Sequence, residues 1–239
     1  MAKQNEPQAR VRDADATRAR ILKAATREFA TLGLGGARID MIAERAKANK
    51  RMIYHYFGDK EGLFTAVLEQ AYLDIRAAER KLNFDAMEPE QALDALVEFT
   101  WRYYLKHPEF LTLVNSENLH KARHLKASNM VREEYPRFLE LVKRILARGV
   151  AKGVFRDGID PVQLNITLAA VSYYYLTNQY TGSIIYDRKL ADPEMLEARL
   201  RFNLDTIRRL VQATPDDSTK TDARSESHPG QDVMVEIDS

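Results

Sequence analysis

Residues 49–64 read NKRMIYHYFGDKEGLF. Two cations open the stretch, three aromatics and a histidine fill positions 54–57, and an acid-glycine-leucine run follows Lys60. Placed on a helix at 100° per residue, Ile53 and Phe57 fall on one side, and Lys50, Arg51, Tyr54 and His55 on the other. Asn49 is positioned to cap this helix, and Gly58 to end it. Asp59 is positioned to cap a further helix running from Lys60 towards Arg80. A core-forming helix has no need of so much polar aromatic surface. These groups donate to phosphates and base edges, and Arg or Lys pairs with guanine in the major groove. Basic-aromatic helices also stand on surfaces that bind nothing, so the face alone does not decide the function.

The neighbouring sequence narrows the choice. Ile21, Leu22, Ala25, Phe29 and Leu32 recur at spacings of three and four, the apolar stripe of one helix. Asp13 and Asp15 are its candidate caps, and Gly33, Gly35 and Gly36 break it. Ile39, Ile42, Ala43 and Ala46 form a second stripe. About three residues separate it from the helix after Asn49, which is helix-turn-helix spacing. Lys60, in the first turn of the following helix, is placed to hold a phosphate together with free backbone N–H groups.

Charge is distributed unevenly. The formal net charge is +1, but residues 1–60 carry thirteen Lys/Arg against seven Asp/Glu, and residues 214–239 carry two against seven. The basic end is the one that suits a polyanion. Cysteine is absent, which excludes disulfides, thiol catalysis and cysteine-ligated metals and is compatible with a reducing compartment. The first residues are charged and carry no apolar core of a secretory leader. The apolar run LAAVSYYYL at 168–176 is too short to span a bilayer. The expected location is the cytoplasm, with no membrane partner.

Beyond the basic end the pattern stays helical. Pro89 precedes a helix over about 90–106 carrying Leu93, Leu96, Val97 and Trp101. Another begins at Pro108, and a third runs from about Ser128 to Lys152. Asp160-Pro161 and Asp192-Pro193 each place a cap before a proline at the first helical position. The helices they open are expected to reach about Gly182 and Ala213. The expected fold is all-α, with four segments. Residues 1–13 are a flexible basic arm and 14–65 a helix-turn-helix domain. Residues 66–213 are a helical ligand-binding and dimerisation domain, and 214–239 a disordered acidic tail.

TRARILKAATREFATLG, followed by RIDMIAERAKANKRMIYHYFGDKEGLF, resembles the DNA-binding domain of the TetR family of bacterial transcriptional regulators. The element YHYF-x-x-K-E-x-L is the most diagnostic part. The resemblance implies an all-α homodimer, usually a repressor released from its operator by a small molecule. It places DNA contacts at Lys50, Arg51, Met52, Tyr54, His55, Tyr56 and Lys60. Three positions depart from the pattern. Arg38 stands where Thr or Ser caps the second helix, so the cap is lost while a phosphate contact can survive. Lys47 replaces the turn glycine and must accept or avoid a positive φ. Met52 replaces a small or hydroxylated residue. HPEFLTLVNSENL, ARGVAKGVFRDGIDP and TNQYTGSIIY look like a branch related to regulators of pyrimidine or aromatic-compound catabolism. An aromatic or heterocyclic catabolite is the effector class this suggests.

Within 66–213, Trp101, Tyr104, Phe110, Asn115, Asn118, Tyr174 and Asn178 are candidates to line an apolar cavity with a few polar groups. Tyr173, Tyr174 and Tyr175 are consecutive, so one or two of them at most face any cavity. Leu196, Leu200, Leu204, Ile207 and Val211 form the stripe expected at a dimer interface, an intramolecular core helix being the other reading. Glu117, His120 and His124 have the spacing of a zinc or nickel set, but a solvated polar face is the better reading of them and no cofactor is expected. Enzyme motifs are missing: there is no Walker loop or nucleophile elbow, and the glycines at 33–36 follow a helix rather than a strand. A non-specific architectural DNA binder, and a helical binding or enzymatic domain with a vestigial helix-turn-helix, are the alternative functions.

Overall fold

The computed structural model describes residues 6–126 and 128–213. Eleven α-helices and one short 3-10 turn make up the described residues, with one isolated β-bridge, Phe155 to Gln212, and no strand. Helices α1 (Glu6–Gly36), α2 (Ile39–Ala46) and α3 (Lys50–Phe57) form the head, and α4 (Lys60–Glu79) leads out of it. The body comprises α5 (Pro89–Lys106), α6 (Pro108–Leu119), α7 (Arg123–Lys126), α8 (Asn129–Ala151), α9 (Pro161–Thr177), α10 (Gln179–Ile185) and α11 (Pro193–Val211). The expected acidic tail lies outside the described residues, as do the first five residues of the expected arm.

The head's core is the two predicted stripes closed by the next helices. Ile21, Ala25 and Phe29 of α1, Ile42 and Ala46 of α2 and Ile53 of α3 are buried together with Leu63, Phe64, Val67 and Leu68 of α4. Phe29 and Phe64 meet edge to face at 5.1 Å. Two expectations about α1 are corrected. The helix begins at Glu6, so residues 6–13 are helical and Asp13 and Asp15 do not cap it. Leu32 is half exposed, because the backbone leaves the helix at Gly33 (φ 66°), just as the stripe would have turned inward.

Helix α4 belongs to two cores. Its first half closes the head, while Ile75 packs in the body with Trp101, Tyr104, Phe110, Leu176 and Leu200. A further body core joins α5, α8, α9 and α11 through residues such as Leu93, Val142, Leu168 and Ile207. The helix predicted to reach Gly182 ends earlier, at Thr177. Asn178 interrupts it, and α10 is a separate helix.

Candidate nucleic-acid interface

The outer face of α3 is positioned by caps and by charge pairing at helix ends. Asn49 Oδ1 accepts from the Arg51 N–H at 2.9 Å and starts α3. Gly58 (φ 78°, ψ −66°) ends it in a γ-turn, in which the Asp59 N–H donates to the Phe57 carbonyl at 2.9 Å. Asp59 Oδ1 then accepts from the Gly62 N–H at 2.7 Å and starts α4. The turn into α3 uses Lys47 in the left-handed region (φ 49°, ψ 46°), with Lys47 N–H to Glu44 and Ala48 N–H to Ala43 closing a Schellman motif. Lys47 therefore accepts the positive φ that glycine would take without cost.

Arg38 makes no side-chain cap, as expected. Buried Glu28 of α1 stands in, reaching the Arg38 N–H at 3.5 Å and pairing with Arg45 at 2.8 Å. At the far end of α2, Arg20 donates to the Ala46 carbonyl at 3.3 Å. An anion at the N-terminus and a cation at the C-terminus both suit the helix dipole. Helix α1 thus holds both ends of α2, which in turn seats α3.

Ile53 is fully buried and Phe57 packs against the head core, as the periodicity requires. Lys50, Arg51, Tyr54 and His55 are exposed. Met52 and Tyr56 are half-buried against the head core, so they reach outward less than the other four. Lys50 pairs with Asp40 of α2, an exposed contact that a phosphate can replace. Lys60 is half-buried, and its Nζ donates to the Gly35 carbonyl at 3.2 Å. The adjoining Gly62 N–H is held by Asp59, so this corner is occupied by internal bonds. Sequence reasoning missed Gly62. A Cβ there would lie 2.1 Å from the Phe57 carbonyl oxygen, so glycine permits α4 to approach the end of α3.

In the body, a cavity of about 390 Å³ opens between α4, α5, α6, α8 and α9. Of the expected lining residues, Tyr104 and Phe110 are present. Trp101 is fully buried in the adjoining core, Asn115 is half-buried away from the cavity, and Asn118 and Tyr174 are exposed. Asn178 and Asn118 each bond a carbonyl one turn back on their own helices. Tyr173, not Tyr174, faces the cavity, joined by Tyr72, Arg76, Tyr135 and Phe138. These rings come from helices far apart in the chain, so no local pattern groups them, and Arg76 carries no pattern that distinguishes it from a surface arginine.

The expected interface stripe faces inward. Leu200, Ile207 and Val211 are buried in the body cores, and Leu196 and Leu204 pack against them. The exposed apolar face of α11 is rotated away from that stripe and carries Phe202 and Leu210. Ile166 and Tyr174 on α9, and Ile184 and Ile185 on α10, are also exposed.

Glu117, His120 and His124 do not share a helix face. Helix α6 ends at Leu119, and Lys121 and Ala122 (both φ 56°) turn the chain into α7. Glu117 and His124 are buried rather than solvated, with His124 Nδ1 2.5 Å from Glu117 Oε2 and Nε2 2.5 Å from Glu61 Oε2 of α4. His120 bonds the Ser116 carbonyl instead. The His124 hydrogen bond, with Arg123 beside it, holds the Glu61 carboxyl below its ordinary range. Among the described residues no group of three side chains is arranged to hold a metal. Among them, too, no helix is long and apolar enough to cross a membrane.

Comparison with known proteins agrees with this geometry over most of the chain. Residues 21–67 match the family described as "Bacterial regulatory proteins, tetR family", and residues 89–207 match "Tetracyclin repressor-like, C-terminal domain". The HTH-type transcriptional repressor NicS of Pseudomonas putida is 42% identical over 193 residues, 81% of this chain and 91% of that protein. The HTH-type transcriptional repressor SCO4008 of Streptomyces coelicolor is 37% identical over 67% of this chain and 79% of its own length. Among solved structures, a TetR family transcription regulator from Marinobacter aquaeolei VT8 shares the fold with a TM-score of 0.64 at 19% identity. That match covers 86% of this chain and all of the other.

Proposed function

The chain belongs to the TetR family and is a DNA-binding transcriptional regulator, not an enzyme; from that premise we propose that it is a cytoplasmic repressor. In this reading it binds a palindromic operator as a homodimer and leaves it when a small molecule fills the body cavity. The observation that carries the reading is the outer face of α3, where Lys50, Arg51, Tyr54 and His55 stand exposed on a helix capped at both ends. Arg38, Met52 and Tyr56 border that face as supporting DNA contacts, as does Lys60, whose ammonium keeps donors beyond the one on the Gly35 carbonyl. Two recognition helices related by a two-fold axis read half-sites about 34 Å apart, one turn of B-DNA.

The exposed residues Tyr174, Ile184, Ile185 and Phe202 support a dimer through α9, α10 and α11, since apolar surface of this extent is normally covered. Helix α4 supports the coupling. Tyr72, Ile75 and Arg76 form one wall of the cavity, and Leu63, Phe64, Val67 and Leu68 on the same helix anchor the head. A ligand that shifts the wall tilts the head, and the operator prefers the separation that the ligand disfavours. The Glu61–His124–Glu117 contact is a second tie between head and body. It sits beside the two left-handed residues, Lys121 and Ala122, where backbone strain is stored.

Light scattering of the full chain tests this reading. The expected result is a dimer of 27.4 kDa chains that binds one duplex, and a monomer with weakened DNA affinity after Ile184→Asp with Phe202→Asp. A wild-type chain that binds operator as a monomer, or that binds equally well when its cavity is saturated, would sink the reading.

A further inference from the structure

Arg76 is the feature of the cavity that its apolar walls do not explain. Its side chain is 19% exposed, and Nη1 lies 2.7 Å from Glu79 Oε2. Neither atom of that contact makes a well-directed hydrogen bond. The guanidinium packs over the Phe138 ring, 4.0 Å from its centroid. A guanidinium carries five N–H donors in one plane, and a single carboxylate oxygen meeting it at a poor angle leaves most of them unsatisfied. The pair is also poorly matched to its surroundings. Burial depresses Arg76 and pushes the Glu79 carboxyl up to about 7, so desolvation outweighs the mutual attraction.

The setting selects an anion. Arg76, Glu134 and Phe138 line both the cavity and an adjoining groove of about 440 Å³. Arg80, Arg137 and Arg144 stand along that groove, and with Arg76 they set four cations against the three acids Glu79, Asp85 and Glu134. Glu134 already pairs with Arg80 and Arg137, at 2.5 and 2.9 Å, and so offers little to a cation. The walls select a planar body. Tyr72 meets Phe110 edge to face at 5.5 Å, Tyr104 stacks on Phe110 at 5.8 Å, and Tyr135, Phe138 and Tyr173 complete a ring-lined chamber. Its volume is at the small end of ligand pockets and suits one or two fused rings.

We propose that this cavity binds an aromatic monocarboxylate, with the ring held among the aromatic side chains and the carboxylate on the open edge of the Arg76 guanidinium. The assignment rests on reading the cavity as the effector site and adds the chemical class of the effector. A planar carboxylate matches the planar fork of donors and supplies the acceptors that Glu79 does not.

The test uses the full chain and a panel of acids (benzoate, 4-hydroxybenzoate, 1-naphthoate and indole-3-acetate), each paired with its carboxamide. Binding is measured calorimetrically to wild type and to Arg76→Gln, with folding of the variant checked by circular dichroism. At least one acid binds wild type about tenfold or more tightly than its amide, and Arg76→Gln brings that ratio close to one. The wild-type ratio alone suffices if the variant does not fold. Failure of every acid to bind, or amides that bind as tightly as the acids, overturns the assignment. Operator release separates it from the functional reading. An acid that binds through Arg76 and leaves the operator complex intact upholds the assignment and refutes the effector role of the cavity. A neutral compound that fills the cavity and releases the operator, where no acid does, has the opposite meaning.

Discussion

Lys50 and Asp40 form an ion pair whose side chains are 53% and 49% exposed; Arg76 and Glu79 form one whose side chains are 19% and 5% exposed. The first lies on the head, in water, and contributes at most about 1 kcal/mol. It can be exchanged for a DNA phosphate at little cost. The second lies inside the body, where desolvation works against both partners. The contrast assigns different work to the two regions. Exposed cations suit the head to long-range, salt-sensitive attraction to DNA, with sequence read, on the proposed function, by the few side chains that reach base edges. A buried cation, on the proposed reading of the cavity, gives the body a short-range contact that discriminates among small molecules.

Removing the exposed cations has the largest expected effect. Lys50→Ala with Arg51→Ala should weaken operator binding about 100-fold or more, at roughly 1–3 kcal/mol for each DNA-facing side chain removed. Thermal stability should stay within about 0.5 kcal/mol of wild type. The salt dependence of the remaining affinity should also be shallower, by about 0.9 for each phosphate no longer neutralised. Fluorescence anisotropy at several salt concentrations checks both parts.

Gly62→Ala tests the seat of the recognition helix instead of its face. The added Cβ meets the Phe57 carbonyl oxygen at 2.1 Å, so α3 and α4 must separate. A loss of about 2 kcal/mol in stability is expected, together with weaker DNA binding and unchanged cavity binding. Thermal denaturation paired with the two binding assays reads this out, and an unperturbed melting temperature would contradict the geometry.

The buried pair is probed by pH. The folded-state value for Glu79 is about 7, above the ordinary 4.5, so folding favours the protonated acid. That contribution is complete below about 4.5 and is lost as pH rises through 7. Glu79→Gln cannot ionise. Between pH 5 and 8 it should therefore lose less stability than wild type, by on the order of 2 kcal/mol. Parallel stability curves for the two proteins across that range would remove the burial argument.

The smallest effect is expected at the turn. Lys47 holds a left-handed backbone that costs a non-glycine residue about 1 kcal/mol, so Lys47→Gly should stabilise the head by up to that amount. Chemical denaturation has the resolution to measure it.

The same two regions differ in how much of them can be read from the chain alone. In the head, the Asn49 and Asp59 caps, the Gly58 stop and the inward set of Ile53 are local features, decided by residues within a few positions of one another. Helical periodicity and cap chemistry are sufficient for them. The start of α1 is not legible in the same way, because a capping residue is only a preference, and the helix runs back through Asp13 and Asp15 to Glu6. In the body, helix positions are legible but helix orientations are not. The stripe from Leu196 to Val211 is apolar whether it meets a second chain or its own core, and only the packing of α11 on α5 and α9 decides between them. Spacing likewise places Glu117 and His124 on one helix. The turn at Lys121 and Ala122 brings them together by another route and adds Glu61, 56 positions before Glu117, which no spacing rule would find.

Selection of bound duplexes from a random DNA pool by the full-length chain, at about physiological salt where non-specific binding is weak, tests the central claim most directly. The expected result is a palindrome whose half-sites are spaced for a two-fold pair of α3 helices. Retained DNA that stays random in sequence, or a recovered site with a single unrepeated half, would contradict it.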